Sequence, residues 1–196
     1  MRRTMTAVRL NDGERITVDG RMDESVWSRV EPAADFVQSD PGLGSPASEH
    51  TEVRIAYNDR ALYMAVVCFD SEPTRLLRFQ RRRDEFLQAD DRFQWVFDPF
   101  LTGQNGYFFE TNPSGAMSDA LMGINGQNRQ WDGIWNERVQ RHADNWTVEI
   151  EIPFRTLNFS PTSDTCHNWL DDPLRANRFR SIDNRLSSKL LYTYRF

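Results

Sequence analysis

Cysteine is scarce in this chain. Cys68 and Cys166 are the only two in 196 residues, and their spacing fits no metal-ligand motif. Cys68 stands inside an apolar run, where a free thiol behaves as a small hydrophobe. Lysine is scarcer still: Lys189 stands alone, and every other basic side chain is arginine. The charge balance is acidic, with a formal net charge of -5 and a pI near 5.3. That argues against nucleic acid, which ordinarily meets a basic face. Long apolar runs are missing as well. The cleanest one, Ala61–Phe69, is well short of the ~18 residues a membrane helix needs. The opening Met1-Arg-Arg-Thr-Met-Thr-Ala7 is charged but has no apolar stretch behind it, so no signal peptide is visible.

Motifs of nucleophilic and phosphoryl-transfer chemistry are also lacking. There is no Gly-x-Ser-x-Gly elbow, phosphate loop or dinucleotide fingerprint. His50, His142 and His167 are scattered without helical or strand spacing, so neither a zinc set nor a His/Met haem pair assembles. Asp84, Glu85, Asp90 and Asp91 do cluster. Two carboxylates held about 5–10 Å apart could hydrolyse a glycosidic bond, but these four stand beside Arg81, Arg82 and Arg83 in what reads as a solvated ion-pair loop. The Asp-x-Asp-x-Asp-Gly spacing of a calcium loop is absent, although carboxylates and carbonyls are what calcium takes.

What the chain has in quantity is aromatic side chains: 13 Phe, 6 Trp and 5 Tyr, or 12%. With 39% hydrophobic residues it can bury a substantial core, in one large domain or two small ones. Residues 14–20 read as a short strand ending in the Asp19-Gly20 turn, and 23–29 as a helical turn anchored by Trp27. Residues 38–50, dense in Pro, Gly and Ser, read as loop. Period-two alternation then appears at Val53, Ile55 and Tyr57, at Phe93, Trp95 and Phe97, and at Trp146, Val148, Ile150 and Ile152. Leu62–Phe69 is apolar on both faces, as a central strand would be, and 106–111 reads as a further strand. Many short strands and no long helical period predict an all-β fold, an antiparallel β-sandwich of jelly-roll type with short helical turns.

Trp131 and Trp135 lie in a polar, glycine-bearing stretch, Gly126–Trp135. Indoles in a polar loop suggest a partner. A flat aromatic flanked by amides, carboxylates and arginine suits a sugar, whose C–H face stacks while its hydroxyls take hydrogen bonds. Closure of the sandwich end by one of the two is the alternative.

The segment Ile16-Thr-Val-Asp-Gly-Arg-Met-Asp-Glu-Ser-Val-Trp27 resembles the opening of carbohydrate-binding module family 9 and its bacterial relatives. Further blocks follow in the same order: Pro46–Tyr57, Ala61–Val66, Asp90–Phe93, Gly106–Gly115, Trp131-x-x-x-Trp135 and Trp146–Phe154. Together they cover about residues 14–160. The resemblance implies a β-sandwich that binds saccharide without cleaving it, by stacking on tryptophan and by hydrogen bonds. It makes Trp131 and Trp135 candidates for stacking and Asn112, Glu110, Arg92 and Gln94 candidates for hydrogen bonding. It requires no cofactor, while some members hold structural calcium, with ligands here unknown. Members often accompany glycoside hydrolases, which implies an accessory role in glycan breakdown or capture at the bacterial envelope, in the periplasm or at the outer membrane.

Some relatives carry the module ahead of an outer-membrane β-barrel. Leu190, Tyr192, Tyr194 and Phe196 alternate as in a lipid-facing strand, so 183–196 reads as the remnant of such a barrel, after an irregular segment at 161–182. One strand cannot close a barrel, and the expectation is a shortened relative. Two other functions fit the same sequence: a protein- or peptide-interaction domain of an outer-membrane transport protein, and a glycoside hydrolase using Asp84, Glu85, Asp90 or Asp91.

Overall fold

The computed structural model describes residues 3–38, 44–100 and 103–158, together with the backbone of 165–167, 188–189 and 192–195. In chain order the strands before the centre are β1 (Arg3–Thr6), β2 (Val8–Arg9), β3 (Val37–Gln38), β4 (Thr51–Tyr57), β5 (Ala61–Phe69) and β6 (Phe93–Phe97). There follow β7 (Gly106–Thr111), β8 (Met117–Gly123), β9 (Gly126–Asn128), β10 (Asn136–Arg141) and β11 (Asn145–Pro153). The last are β12 (Thr165–His167), β13 (Ser188–Lys189) and β14 (Tyr192–Arg195). A single α-helix, α1 (Ser25–Arg29), and two short 3-10 turns at Pro73–Arg75 and Phe154–Thr156 complete the described elements.

Two sheets make the body of this β-sandwich. One has five strands in the order β10-β11-β5-β4-β2, the other four in the order β6-β7-β8-β9. Between them lies one apolar core. Val53, Ile55, Met64, Val66, Trp146, Val148 and Ile150 come from the first sheet, and Phe93, Trp95, Phe97 and Phe109 from the second. The alternation in the sequence therefore marks the inward face of β4, β6 and β11. Strand β5 is central, paired on both sides by β4 and β11, and its residues are apolar on both faces because one packs in the core and the other under α1. Its outward Tyr63 and Ala65 join Trp27, Val26, Val30 and Leu10 in a second cluster beneath α1.

The opening block is organised around Glu149, which has no exposed surface. Its carboxylate accepts the Asp19 and Gly20 N–H groups at 3.0 Å and the Trp27 indole N–H at 3.0 Å. Glu24 accepts the same indole N–H at 3.1 Å and the Thr17 N–H at 2.8 Å. Residues 14–18 are thus not a strand. They pack Ile16 and Val18 on the second cluster, and part of their backbone is satisfied by a side chain instead of a neighbouring strand. Gly20 has φ +84°, and a Cβ there would lie 2.9 Å from Gln140 Cγ and 3.0 Å from the Arg138 carbonyl oxygen. Only glycine fits that turn without strain. Burial above all, with the charge of Glu24 adding to it, pushes the Glu149 carboxyl up to about 7, against the pull of its N–H donors.

The ends of the chain add to this body. Strand β2 pairs parallel with β4, and Met5, Ala7 and Leu10 are buried, so residues before 14 are part of the fold. Strand β14 lies between β1 and β12, and β13 pairs with β3. The side chains of the Leu190, Tyr192, Tyr194 and Phe196 stripe, and most of segment 161–182, lie outside the described residues.

Candidate functional site

Strands β6 and β7 send their large aromatics inward, so the alternate residues Arg92, Gln94, Val96, Phe108 and Glu110 share the outer face of the four-stranded sheet. The register places Gln94 opposite Glu110, and Glu110 opposite Ser118. Arg129, just beyond β9, completes a polar row across the sheet. Its Nη2 donates to Glu110 Oε1 at 3.2 Å and to the Ser118 hydroxyl. Arg92 Nε lies 3.7 Å from Glu110 Oε2. Beside this row Val96, Phe108, Ala120 and Met122 form a small apolar cluster. Burial raises the Glu110 carboxyl, and the charges of Arg92 and Arg129 oppose the rise.

Three of the residues singled out from the sequence, Arg92, Gln94 and Glu110, therefore stand together. Their states differ. Glu110 and Arg92 are buried and engaged with each other. Gln94 is half-buried. Arg129 Nε and Nη1 and the Gln94 side-chain amide make no hydrogen bond to a protein group among the described residues. The centroid of the Phe86 ring, 61% exposed, lies 4.6 Å from the Arg129 guanidinium carbon, a cation–π contact beside the hydrogen bonds to Glu110 and Ser118 that orient the guanidinium. Sequence reasoning overlooked Arg129, Ser118 and Phe86. Arg129 sits in the very block read for its tryptophans, and Phe86 in a loop read for its charges.

The loop carrying Phe86 is held by the acidic cluster. Asp90 accepts the Phe79 and Gln80 N–H groups at 2.8 Å and the Asn112 Nδ2 at 2.7 Å. Asp91 accepts the Leu77 N–H at 2.7 Å. Asn112 also donates to the Gln80 carbonyl at 2.9 Å, and its Oδ1 accepts the Ser114 and Ala116 N–H groups at 3.0 and 2.9 Å. Both amide protons and both acceptor positions of Asn112 are thus in use. This side chain ties the loop to the β7–β8 turn and has no hydrogen bond left for a ligand. Asp90 likewise shapes backbone, and Asp84 and Glu85 pair with Arg83 and Arg82.

Trp135 is 6% exposed and packs edge-on against Trp95 and Phe109 in the core. Its indole N–H donates to Asp119 Oδ2 at 2.8 Å. Trp131 is half-buried against Tyr107 and Phe109, and its ring lies so close to Gly133 that a Cβ there would stand 2.7 Å from Cη2. The polar residues nearby hold the Trp135 indole and the Gly133 backbone. Arg83 Nη2 bonds Asp119, Asp132 and the Gly133 carbonyl, and the Gly133 N–H bonds Asp119. Burial raises the Asp119 carboxyl, countered by the Trp135 and Gly133 donors.

Glu137 on β10 points into the sandwich, where neither carboxyl oxygen has a hydrogen-bond partner among the described residues. Burial pushes it up to about 8, with the Arg138 charge opposing the rise. Among the described residues no group of three or more His, Cys, Asp or Glu side chains gathers as a metal site, and no helix is long and apolar enough to cross a membrane.

No protein-family model and no curated protein sequence matches the chain. Solved structures do. A carbohydrate binding module family 9 from Caldicellulosiruptor kristjanssonii, in complex with glucose, superposes with a TM-score of 0.60 at 12% identity, over 85% of this chain and 75% of that one. Its complex with cellotriose gives 0.60, 12%, 85% and 74%. A putative carbohydrate-binding protein from Bacteroides uniformis gives 0.62 at 13% identity, over 86% of this chain and 82% of its own. The fold is that of carbohydrate-binding module family 9.

Proposed function

We propose that the chain binds saccharide on the outer face of β6–β9 without cleaving it. The observation that carries this reading is the polar row Gln94, Glu110, Ser118 and Arg129. At its two ends, Gln94 and Arg129 retain hydrogen-bonding groups that no described residue meets. Sugar hydroxyls both donate and accept, and a planar amide beside a guanidinium offers both complements in fixed positions. Phe86 supplies an exposed ring on which the C–H face of a sugar can rest. Glu110, held by Arg92 and Arg129, keeps that row rigid before any ligand arrives. The sugar complexes of the superposing modules support the same reading. The role we assign is accessory: capture of glycan, or delivery of it to a hydrolase, at the bacterial envelope. The envelope setting is supported by the resemblance of the sequence blocks to modules placed ahead of outer-membrane barrels.

Calorimetric titration with cellotriose tests the reading. The expectation is saturable binding that Gln94→Ala and Phe86→Ala each weaken by about tenfold, the equivalent of roughly 1.4 kcal/mol. Absence of saturable binding to cellotriose and to a broad panel of glycans would overturn it.

A further inference from the structure

The acidic chain as a whole hides a local excess of positive charge at this face. The polar row holds two guanidinium groups, Arg92 and Arg129, against one carboxylate, Glu110. Arg92 is buried with Glu110, so the charge left over is carried by Arg129, whose side chain is 24% exposed. The neighbouring loop is balanced in formal charge but exposes its cations. Residues 76–91 contain four arginines and four acids, but Asp90 and Asp91 are buried and accept backbone N–H groups. Glu85 is paired with Arg82, and Asp84 with Arg83. Arg78 and Arg81 remain exposed, with no acidic partner among the described residues. Phe86, on this same loop, makes the cation–π contact with Arg129.

We infer that the face selects a carboxylated saccharide, a uronate-containing oligosaccharide, with Arg129 Nη1 and Nε receiving the carboxylate and Gln94 a ring hydroxyl. This rests on the saccharide reading above and narrows it. A carboxylate is the natural partner of a guanidinium already fixed in orientation, and charge-assisted hydrogen bonds of this type are roughly twice as strong as neutral ones. Because Glu110 occupies Nη2, the carboxylate is met by the remaining nitrogens, and no charge is left buried and unpaired when the ligand binds. Arg78 and Arg81 add long-range attraction that draws a polyuronate strand toward the loop.

The test compares two probes of equal length, trigalacturonate and cellotriose, titrated calorimetrically into the whole chain at about 20 mM and about 1 M salt. The expected result is tighter binding of trigalacturonate by about tenfold or more at low salt, shrinking at high salt as charge is screened. Arg129→Gln is expected to lower the ratio of the two affinities, and the exposed pair Arg78→Gln with Arg81→Gln to reduce its salt dependence. Equal or tighter binding of cellotriose overturns the selection for carboxylate and leaves saccharide binding standing. A preference for trigalacturonate that neither salt nor Arg129→Gln changes also overturns it. Failure of both probes, together with the wider glycan panel, overturns saccharide binding itself. Should Arg129→Gln fail to fold, the salt dependence of the unmodified chain decides alone.

Discussion

Glycine 20 illustrates how much a single residue carries here. Its φ of +84° and the packing of Gln140 and the Arg138 carbonyl against the missing Cβ bring two consecutive N–H groups onto Glu149. Gly20→Ala meets both a left-handed backbone and a close approach, and a cost of about 1–3 kcal/mol follows from that strain together with displaced hydrogen bonds. The measurement is the urea midpoint, which should fall with an unchanged m-value. The Asp-Gly turn was readable from sequence, because the dipeptide has few other uses. Its partner was not. Glu149 looks like any outward-facing acid of the alternating stretch 146–152, and only the pairing of distant segments buries it beneath Trp27.

Among the elements, the 76–91 loop and the β7–β8 turn form one unit, joined by Asn112 and Asp90. Asn112→Ala removes two donors and two acceptor positions at once, taking one hydrogen bond from Asp90 and the side-chain partner from the Gln80 carbonyl and the Ser114 and Ala116 N–H groups. The loop contains Arg78, Arg81, Arg82 and Arg83, so its release has a direct readout. Limited trypsin digestion is expected to cut within 78–83 at least several-fold faster in the variant than in the parent. Equal rates would mean that the loop is held elsewhere. Strands were legible where inward and outward residues alternate in character, as in β4, β6 and β11. They were illegible in β8 and β10. On β8 Ser118, Asp119 and Ala120 are all buried, and on β10 Glu137 takes an inward position that pattern reading assigns to an apolar residue.

The molecule as a whole pays for its buried acids with a pH-dependent stability. Glu137 and Glu149 are both raised above the ordinary glutamate value of 4.5, to about 8 and about 7. Between those values and 4.5 the unfolded chain has released protons that the folded chain retains. Stability from these groups is therefore complete at low pH and is lost as pH rises through the folded values. Glu14 and Glu52, whose values are lowered, act in the opposite sense at the acid end. Glu137→Gln keeps the shape and removes the ionisation. Thermal unfolding followed from pH 5 to pH 9 should show the parent losing more Tm than the variant over this range, with the difference opening toward the alkaline side. Parallel curves for the two proteins would mean that Glu137 does not hold its proton in the fold.

By itself the sequence determined the class of fold and, in β4, β6 and β11, the face the strand turns inward. These depend on local alternation and on turn residues, and such signals survive without knowledge of what lies across the sheet. It also pointed to the strand pair that carries Arg92, Gln94 and Glu110, because alternate residues of adjacent strands must share a face. Only the tertiary structure decided the fate of the polar residues. Trp135 and Asn112 look in sequence like ligand contacts, but packing against Trp95 and bonding to Asp90 use their surfaces from within. Arg129 and Phe86 look ordinary, and they meet above Glu110 only because a loop crosses to the far strand of its sheet. A polar side chain becomes a binding group or a support according to which hydrogen bonds remain open, and that depends on contacts between residues far apart in the chain.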